Sequence, residues 1–137
     1  MVQLTTVRNT NISFIQQPLV AVFTGGASGI GDYVVRALAK IHGKSGKGLR
    51  VYIVGRNQQK AEKSIADCRR IYPVGDFRFV KADLSLLREV DDACASIAAQ
   101  EVKEKDGRVD LLYMTQGEVR LGPRFGVSCF HAEKRHY

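Results

Sequence analysis

The sequence contains no tryptophan, only three prolines and three cysteines, and no long uninterrupted hydrophobic run. Its apolar stretches are far shorter than the roughly 18–20 residues that span a bilayer, so no membrane span is predicted. The first residues lack the basic start, apolar middle and small-residue cleavage site of a signal peptide, which argues against secretion.

The cysteines are too few and too scattered to support a disulfide framework or a zinc site. Cys68, Cys94 and Cys129 include no Cys-x-x-Cys pair and no histidine at metal-ligand spacing. Cys68 and Cys94 fall on the apolar faces of predicted helices, where we expect small buried side chains. A reducing, cytoplasmic compartment is therefore predicted.

The positive charge does not by itself indicate nucleic-acid binding. Lys and Arg number 21 against 14 Asp and Glu, giving a formal charge of +7 over 137 residues, the length of one domain. The densest basic group, at 42–50, is broken by glycines and is predicted to be a solvated loop rather than a nucleic-acid patch. His42, His131 and His136 are predicted to lie at the surface and not to act as ligands.

The hydrophobic pattern alternates between strands and helices, which predicts an α/β fold with a parallel sheet. Strands are predicted at 19–23, 49–54, 77–82 and 109–114, and a turn at Asp106-Gly107. Three organisational units follow: an N-terminal extension without a pattern (1–17), an α/β half-domain (18–117) and an irregular C-terminal tail (118–137). The run at 19–23 is apolar without alternation, which is typical of a strand buried on both faces.

Each of the three predicted helices has a candidate inner face. The first face comprises Ile30, Val34, Ala37, Leu38 and Ile41, and this helix is expected to end at His42-Gly43. The second comprises Ala61, Ile65, Cys68 and either Ile71 or Tyr72, with Pro73 and Gly75 marking its end. The third is expected to be capped by Ser85 and to carry Leu87, Val90, Cys94, Ile97 and Glu101, with Glu101 near its exposed end.

A glycine-rich turn joins the first predicted strand to the first predicted helix. Thr24-Gly25-Gly26-Ala27-Ser28-Gly29-Ile30-Gly31 places its glycines where a dinucleotide's pyrophosphate can sit, because glycine permits a tight turn and close backbone approach. The helix N-terminus adds unpaired N–H groups and the positive end of the helix dipole. The spacing of these glycines differs from the Gly-x-Gly-x-x-Gly fingerprint. The prediction of a dinucleotide site therefore rests on the position of the turn between a buried strand and an amphipathic helix.

This Thr-Gly-x-x-x-Gly-Ile-Gly segment resembles the cofactor motif of the short-chain dehydrogenase/reductase family. The resemblance continues at 54–56, 82–85 and 110–112 and covers about 19–117. The N-terminal residues and the segment 80–87 resemble a fungal subgroup associated with secondary-metabolite pathways. The resemblance implies a Rossmann-like parallel sheet in the order 3-2-1-4 with flanking helices, truncated after the fourth strand.

The resemblance also implies a set of cofactor-binding residues. Gly25, Gly29 and Gly31 match the phosphate-loop glycines, Ser28 and Ile30 lie beside them, Asp83 and Leu84 match the adenine contacts, and Gly117 matches the last glycine of the family's Asn-Asn-Ala-Gly. Arg56 follows Gly55, where members that prefer NAD carry an acidic residue for the ribose hydroxyls. Because a guanidinium binds a 2′-phosphate well, NADP is predicted over NAD, although Arg56 is otherwise explained as an exposed turn residue.

Two features depart from the family pattern. The Asn-Asn-Ala-Gly segment is here Met114-Thr115-Gln116-Gly117, in which Thr115 or Gln116 is predicted near the nicotinamide ribose. The catalytic Tyr-x-x-x-Lys pair is absent, since none of the five tyrosines has a lysine four residues later. Ser128 follows the fourth strand too closely to match the catalytic serine, so no catalytic residue is predicted.

Two functional hypotheses remain open. The first is an NADP-dependent oxidoreductase, acting on a small carbonyl or alcohol substrate when full-length, whose present chain is truncated and inactive alone. The alternative is a non-catalytic nucleotide-binding or interaction module. In either case, the fourth strand is predicted to leave an apolar sheet edge through which the chain self-associates. No nucleic-acid or membrane partner is predicted.

Overall fold

A computed structural model describes residues 3–104 and 107–117. One N-terminal helix precedes three strand–helix units and a fourth strand. The helices are α1 (Leu4–Ile15), α2 (Gly29–Ser45), α3 (Gln58–Ile71) and α4 (Leu87–Lys103). The strands are β1 (Leu19–Thr24), β2 (Leu49–Gly55), β3 (Asp76–Lys81) and β4 (Leu111–Met114).

The four strands form one parallel sheet in the order β3-β2-β1-β4, which confirms the predicted fold class. β1 and β2 occupy the centre and are buried along most of their length. Burial on both faces explains why the sequence of β1 is a continuous apolar run without alternation. β4 is an edge strand of the described sheet, paired with β1 only.

Helices α2 and α3 cover one face of the sheet and α4 covers the other. The α2/α3 face holds Ala21, Phe23, Val35, Ala39, Leu49, Val51, Ile53, Ala61, Ile65, Cys68, Tyr72 and Phe77. The α4 face holds Val20, Val22, Tyr52, Val54, Val80, Ala82, Ala93 and Ile97. Successive side chains along each central strand thus enter opposite clusters, as the pleat requires.

The predicted inner face of α2 is wrong in part. Val35, Ala39 and His42 are buried there, whereas Ile30 and Ile41 are exposed. Ile30 lies in the first turn of the helix and is 73% exposed. The 3.6-residue period accommodates either of two neighbouring stripes, and packing against both α3 and the sheet selects the one that contains Val35.

His42 neither ends a helix nor lies at the surface, because α2 continues to Ser45 and buries the imidazole. The segment 42–50 is correspondingly not one solvated loop: Arg50 belongs to β2 and forms ion pairs. The predictions for His131 and His136 lie outside the described residues.

The predicted face of α3 is confirmed by the burial of Ala61, Ile65, Cys68 and Tyr72, while Ile71 is exposed. The predictions for α4 require correction. Leu87 and Cys94 are exposed, and Glu101, expected near an exposed end, is only 2% exposed. Glu101 is buried because Arg50 and Tyr52 of β2 supply hydrogen bonds to its carboxylate.

Ser85 does not cap α4. The N-cap residue is Leu86, which makes no side-chain cap, and the Ser85 hydroxyl donates instead to Asp83 Oδ1. The N-terminal segment, in which the sequence showed no pattern, contains α1. That helix is attached to the rest of the fold through Ile15, which is buried and whose carbonyl accepts from Lys47 N.

Other predictions concern residues that the structure does not describe: the turn at Asp106, Cys129 and the tail at 118–137. Across the described residues, no helix is both long enough and apolar enough to cross a membrane.

Candidate functional site

The residues singled out by the sequence gather at one edge of the sheet. Gly25 follows β1, Arg56 follows β2, Asp83 follows β3 by two residues, and Thr115 follows β4. Because the strands are parallel, all four lie at the carboxyl edge. The chain moves outward from β1 to β2 and β3 on one side and to β4 on the other, so β1 and β4 flank a topological switch point, where α/β proteins bind ligands.

The glycine-rich turn needs glycine for two different reasons. Gly29 has φ +59°, a left-handed conformation, and a Cβ there would meet nothing within 4 Å. Gly31 needs space instead, since a Cβ would lie 2.6 Å from both Gly25 O and Thr115 Oγ1. The turn is therefore packed closely behind Gly31 and open in front of Gly29.

The open side of this turn coincides with the start of α2. Ser28 is the N-cap residue and its side chain makes no capping hydrogen bond, while Ile30 lies exposed in the first turn. The first N–H groups of a helix have no partner within the helix, and the positive end of its dipole favours negative charge there. The arrangement suits a phosphate group next to Ser28, Gly29 and Ile30.

The segment after β4 supports the glycine-rich turn. Thr115 donates to the carbonyl of Thr24 from its backbone N (2.9 Å) and from Oγ1 (3.0 Å). The hydroxyl of Thr24 donates in turn to Gln116 Oε1. Thr115 and Gln116, predicted near a ribose, are thus both engaged in joining β4 to the turn. Gly117 follows them and is exposed.

Arg56 projects into solvent beside an unobstructed backbone. Its side chain is 77% exposed, and its Nη1 lies 3.9 Å from Asp83 Oδ2. A Cβ added at the preceding Gly55 would meet nothing within 4 Å, so an incoming group encounters no side chain there. This placement is compatible with a phosphate contact and equally with an exposed turn arginine.

Asp83 lies in a loop organised by its own hydrogen bonds. Its Oδ1 accepts from the Ser85 hydroxyl (2.7 Å) and from Ser85 N (3.1 Å). These bonds, with the nearby Arg56 charge, lower the pKa of the Asp83 carboxyl. Leu84 packs against the α4-face cluster. Sequence reasoning missed one contact: Asp83 N donates to Glu89 Oε2 at 2.5 Å.

A second polar cluster lies away from this edge, toward the start of β2 and β3. Glu101 accepts from Arg50 Nη1 (2.9 Å) and Tyr52 Oη (2.6 Å), and Arg78 contacts Asp76 and Glu104. Burial, and then the bond to Glu101, raises the pKa of Tyr52 to about 12. Tyr52 is thereby held as a neutral structural donor, unsuited to proton transfer near neutral pH.

Comparisons with known proteins agree with this geometry. The family described as short chain dehydrogenase matches residues 19–125. Short-chain dehydrogenase/reductase SAT2 of Stachybotrys chartarum is 45% identical over 109 residues, covering 76% of this chain and 31% of that protein. Oxidoreductase AN1596 of Emericella nidulans is 37% identical over 125 residues, which cover 90% of this chain and 35% of the length of that oxidoreductase. The chain thus spans about a third of the length of these fungal relatives.

Solved structures show the same fold. An actinorhodin polyketide ketoreductase determined with NADPH matches 74% of this chain and 34% of its own, with 28% identity and a TM-score of 0.57. An alcohol dehydrogenase from the archaeon Thermococcus sibiricus, complexed with 5-hydroxy-NADP, covers 70% of this chain and 36% of its own, with 26% identity and a TM-score of 0.54.

Proposed function

The chain belongs to the short-chain dehydrogenase/reductase family, and on that premise we propose that its described part binds the adenosine and pyrophosphate end of NADP. The observation that carries the proposal is the glycine-rich turn, which leads into helix α2 and leaves free space next to Gly29. The half-domain at 18–117 is the unit to which we assign this binding.

The binding residues are those at the carboxyl edge of the sheet. Ser28, Gly29 and Ile30 on the open side of the turn would hold the pyrophosphate, and Gly25 and Gly31 would let the turn pack closely behind it. Asp83 and Leu84 would flank the adenine, and Gly117 would lie toward the nicotinamide side. When bound, NADPH supplies a hydride. The chain itself contributes binding and orientation, because α2 directs its unpaired N–H groups and dipole at the phosphates.

Preference for NADP over NAD rests on Arg56. A 2′-phosphate would place two negative charges beside a guanidinium that the described structure leaves largely in solvent. Charge-assisted, bidentate hydrogen bonds of this kind are stronger than neutral ones. Gly55 adds no carboxylate that would bind ribose hydroxyls or repel the phosphate.

For the reaction, we propose hydride transfer between NADPH and a small carbonyl or alcohol substrate, in fungal secondary metabolism. The fungal relatives named as dehydrogenases and oxidoreductases support this proposal. The 137 residues contain no Tyr-x-x-x-Lys, so we expect them to bind cofactor without catalysing the transfer by themselves. We assign the protein to the cytoplasm, where the exposed thiol of Cys94 would stay reduced.

The test is a calorimetric titration of the 137-residue chain with NADPH and, separately, with NADH. Arg56→Gln should weaken NADPH binding about tenfold, the loss expected for one charge-assisted contact, and leave NADH within about twofold. Arg70→Gln is the matched control, since its side chain is 82% exposed on α3 and lies away from the site. Absence of binding by the unaltered chain would refute the proposal, and equal loss for both cofactors would refute the assigned role of Arg56.

One observation supports the alternative function, a non-catalytic interaction module: the edge strand β4 is exposed. Leu112 and Met114 of β4 are 57% and 66% exposed, and Leu112 lines a groove of about 370 Å³ with Ile97 and Val102 of α4. We propose that copies of the chain pair through this edge. Sedimentation should then show dimers that Leu112→Lys abolishes, and monomers at every concentration would contradict pairing.

A further inference from the structure

We propose that Glu89 is a positioning residue that fixes the loop after β3, and thereby sets where Asp83 and Leu84 meet the adenine. The inference rests on the proposed function, because it concerns the same cofactor site. It assigns a role to a residue that touches no cofactor itself and that neither the glycine motif nor the family resemblance identified.

Glu89 occupies a particular position at the start of its helix. α4 begins at Leu87 with Leu86 as N-cap, so Glu89 is the third helical residue. A glutamate at this position usually reaches back to the N–H of the N-cap residue. Here Leu86 N already donates to Asp83 O at 3.0 Å. Glu89 passes over Leu86 and accepts from Asp83 N at 2.5 Å instead.

The bond between Glu89 and Asp83 N holds the loop where it leaves the sheet. Ala82 N donates to Gly55 O at 3.0 Å, which extends the contact between β2 and β3 by one residue. The Asp83 carboxylate is committed to Ser85, as described above. Glu89 therefore supplies the partner of the next N–H along the chain. Without it, a part-buried donor lacks a partner, which destabilises this conformation of the loop.

Positioning of the loop differs from simple stabilisation of the helix. An acidic residue in the first turn stabilises a helix through the dipole wherever its carboxylate points. A dipole effect alone would not protect one particular amide, and it would be lost when glutamine removes the charge. The hydrogen bond predicts the reverse, because the glutamine amide oxygen can still accept from Asp83 N.

The experiment compares Glu89→Gln and Glu89→Leu with Glu62→Leu in the full 137-residue chain. Glu62 is an exposed helical glutamate that accepts from Gln58 on α3, which makes it the matched control. Two quantities are measured: hydrogen exchange at the Asp83 amide and the dissociation constant of adenosine 2′,5′-bisphosphate. Glu89→Leu should speed exchange at least tenfold and weaken binding about tenfold, whereas Glu89→Gln should stay within about threefold of the unaltered chain.

Electrostatics sharpens the binding measurement. Removing a carboxylate from the vicinity of an anionic ligand should by itself tighten binding, so weaker binding by Glu89→Leu has to come from the loop. Faster exchange with unchanged affinity would overturn the proposed role, and unchanged exchange would overturn the hydrogen bond on which it rests. If the unaltered chain binds neither the bisphosphate nor NADPH, the proposed function fails; the exchange measurement then still decides whether Glu89 anchors the loop.

Discussion

On the face covered by α2 and α3, Ile65 belongs to a buried cluster with Ala61, Cys68 and Tyr72. On the face covered by α4, Ile97 lines a groove that also exposes Leu112. α4 contributes only two buried apolar side chains, Ala93 and Ile97. Both faces are thus packed by apolar side chains, and α4, which adds few of them, is also attached by polar contacts at its two ends.

Those polar contacts are placed at opposite ends of the helix. Glu89 in the first turn bonds Asp83 N, and Glu101 in the last turn bonds Arg50 and Tyr52. The α4 face therefore combines firm attachment at the helix ends with an open apolar groove between α4 and β4. An apolar groove of this kind can receive further structure.

The largest expected effect comes from truncating Ile65, because it tests how closed the α2/α3 face is. Ile65 and Ile97 are 6% and 7% exposed and differ in surroundings rather than burial. Ile65→Ala should leave a closed cavity and cost about 4 kcal/mol of unfolding free energy, and Ile97→Ala about 2 kcal/mol, since its space opens to solvent. Urea unfolding measures both. Equal losses would show that the faces are packed alike.

The next effect concerns the buried carboxylate that attaches the end of α4. Glu101→Ala should cost about 3 kcal/mol, at the low end for a broken buried pair, because Arg50 keeps Asp76 and Glu104 as partners. Glu104→Ala is the matched control in the same cluster and, being more exposed, should cost much less than Glu101→Ala. Similar losses in urea unfolding would contradict the distinction between the two glutamates.

The smallest effect compares the buried ionisable groups of the two faces. Glu101 is paired, whereas His42 Nε2 has no partner among the described residues, and burial lowers the pKa of its imidazole. The unfolded chain takes up a proton at about pH 6.5 that the folded chain resists, so stability is full above that pH and falls below it. His42→Leu should remove a slope of at most about 1.4 kcal/mol per pH unit.

Unfolding curves at pH 8, 6 and 5 measure this slope. At pH 8 the imidazole is neutral in both states, so the difference between His42→Leu and the unaltered chain there reports packing alone. A parallel loss of stability in both proteins on acidification would show that other groups carry the pH dependence.

Much of the fold follows from local pattern. The central strands and the inner face of α3 were predicted, because buried runs and helical periodicity are properties of neighbouring residues. The strand order was predicted only through the family resemblance. The inner face of α2 and the exposure of Cys94 were not predicted correctly, since each depends on which side of a helix a neighbouring element covers. The absence of pattern at the N-terminus likewise concealed α1, whose attachment depends on a distant contact between Ile15 and Lys47.

For the site, the motif located the glycine-rich turn, Arg56 and Asp83 at one edge of the sheet, but not the contacts that shape them. Thr115 packs against Gly31 from a distant part of the chain, whereas Glu89 bonds the N–H of Asp83, six residues away, instead of the N–H of the N-cap residue Leu86. The first contact requires two distant segments to meet, and the second depends on how the loop after β3 folds, which residue spacing does not specify.

The alternation of strands and helices, the glycine turn and the family could be predicted without a structure, because each depends on the order of adjacent residues. That Glu101 and His42 are buried and Cys94 is exposed became known only from the packed fold. The reason is physical: burial of a charged or polar side chain depends on partners brought from elsewhere in the chain. Arg50 and Tyr52 provide those partners for Glu101, across about fifty residues of sequence.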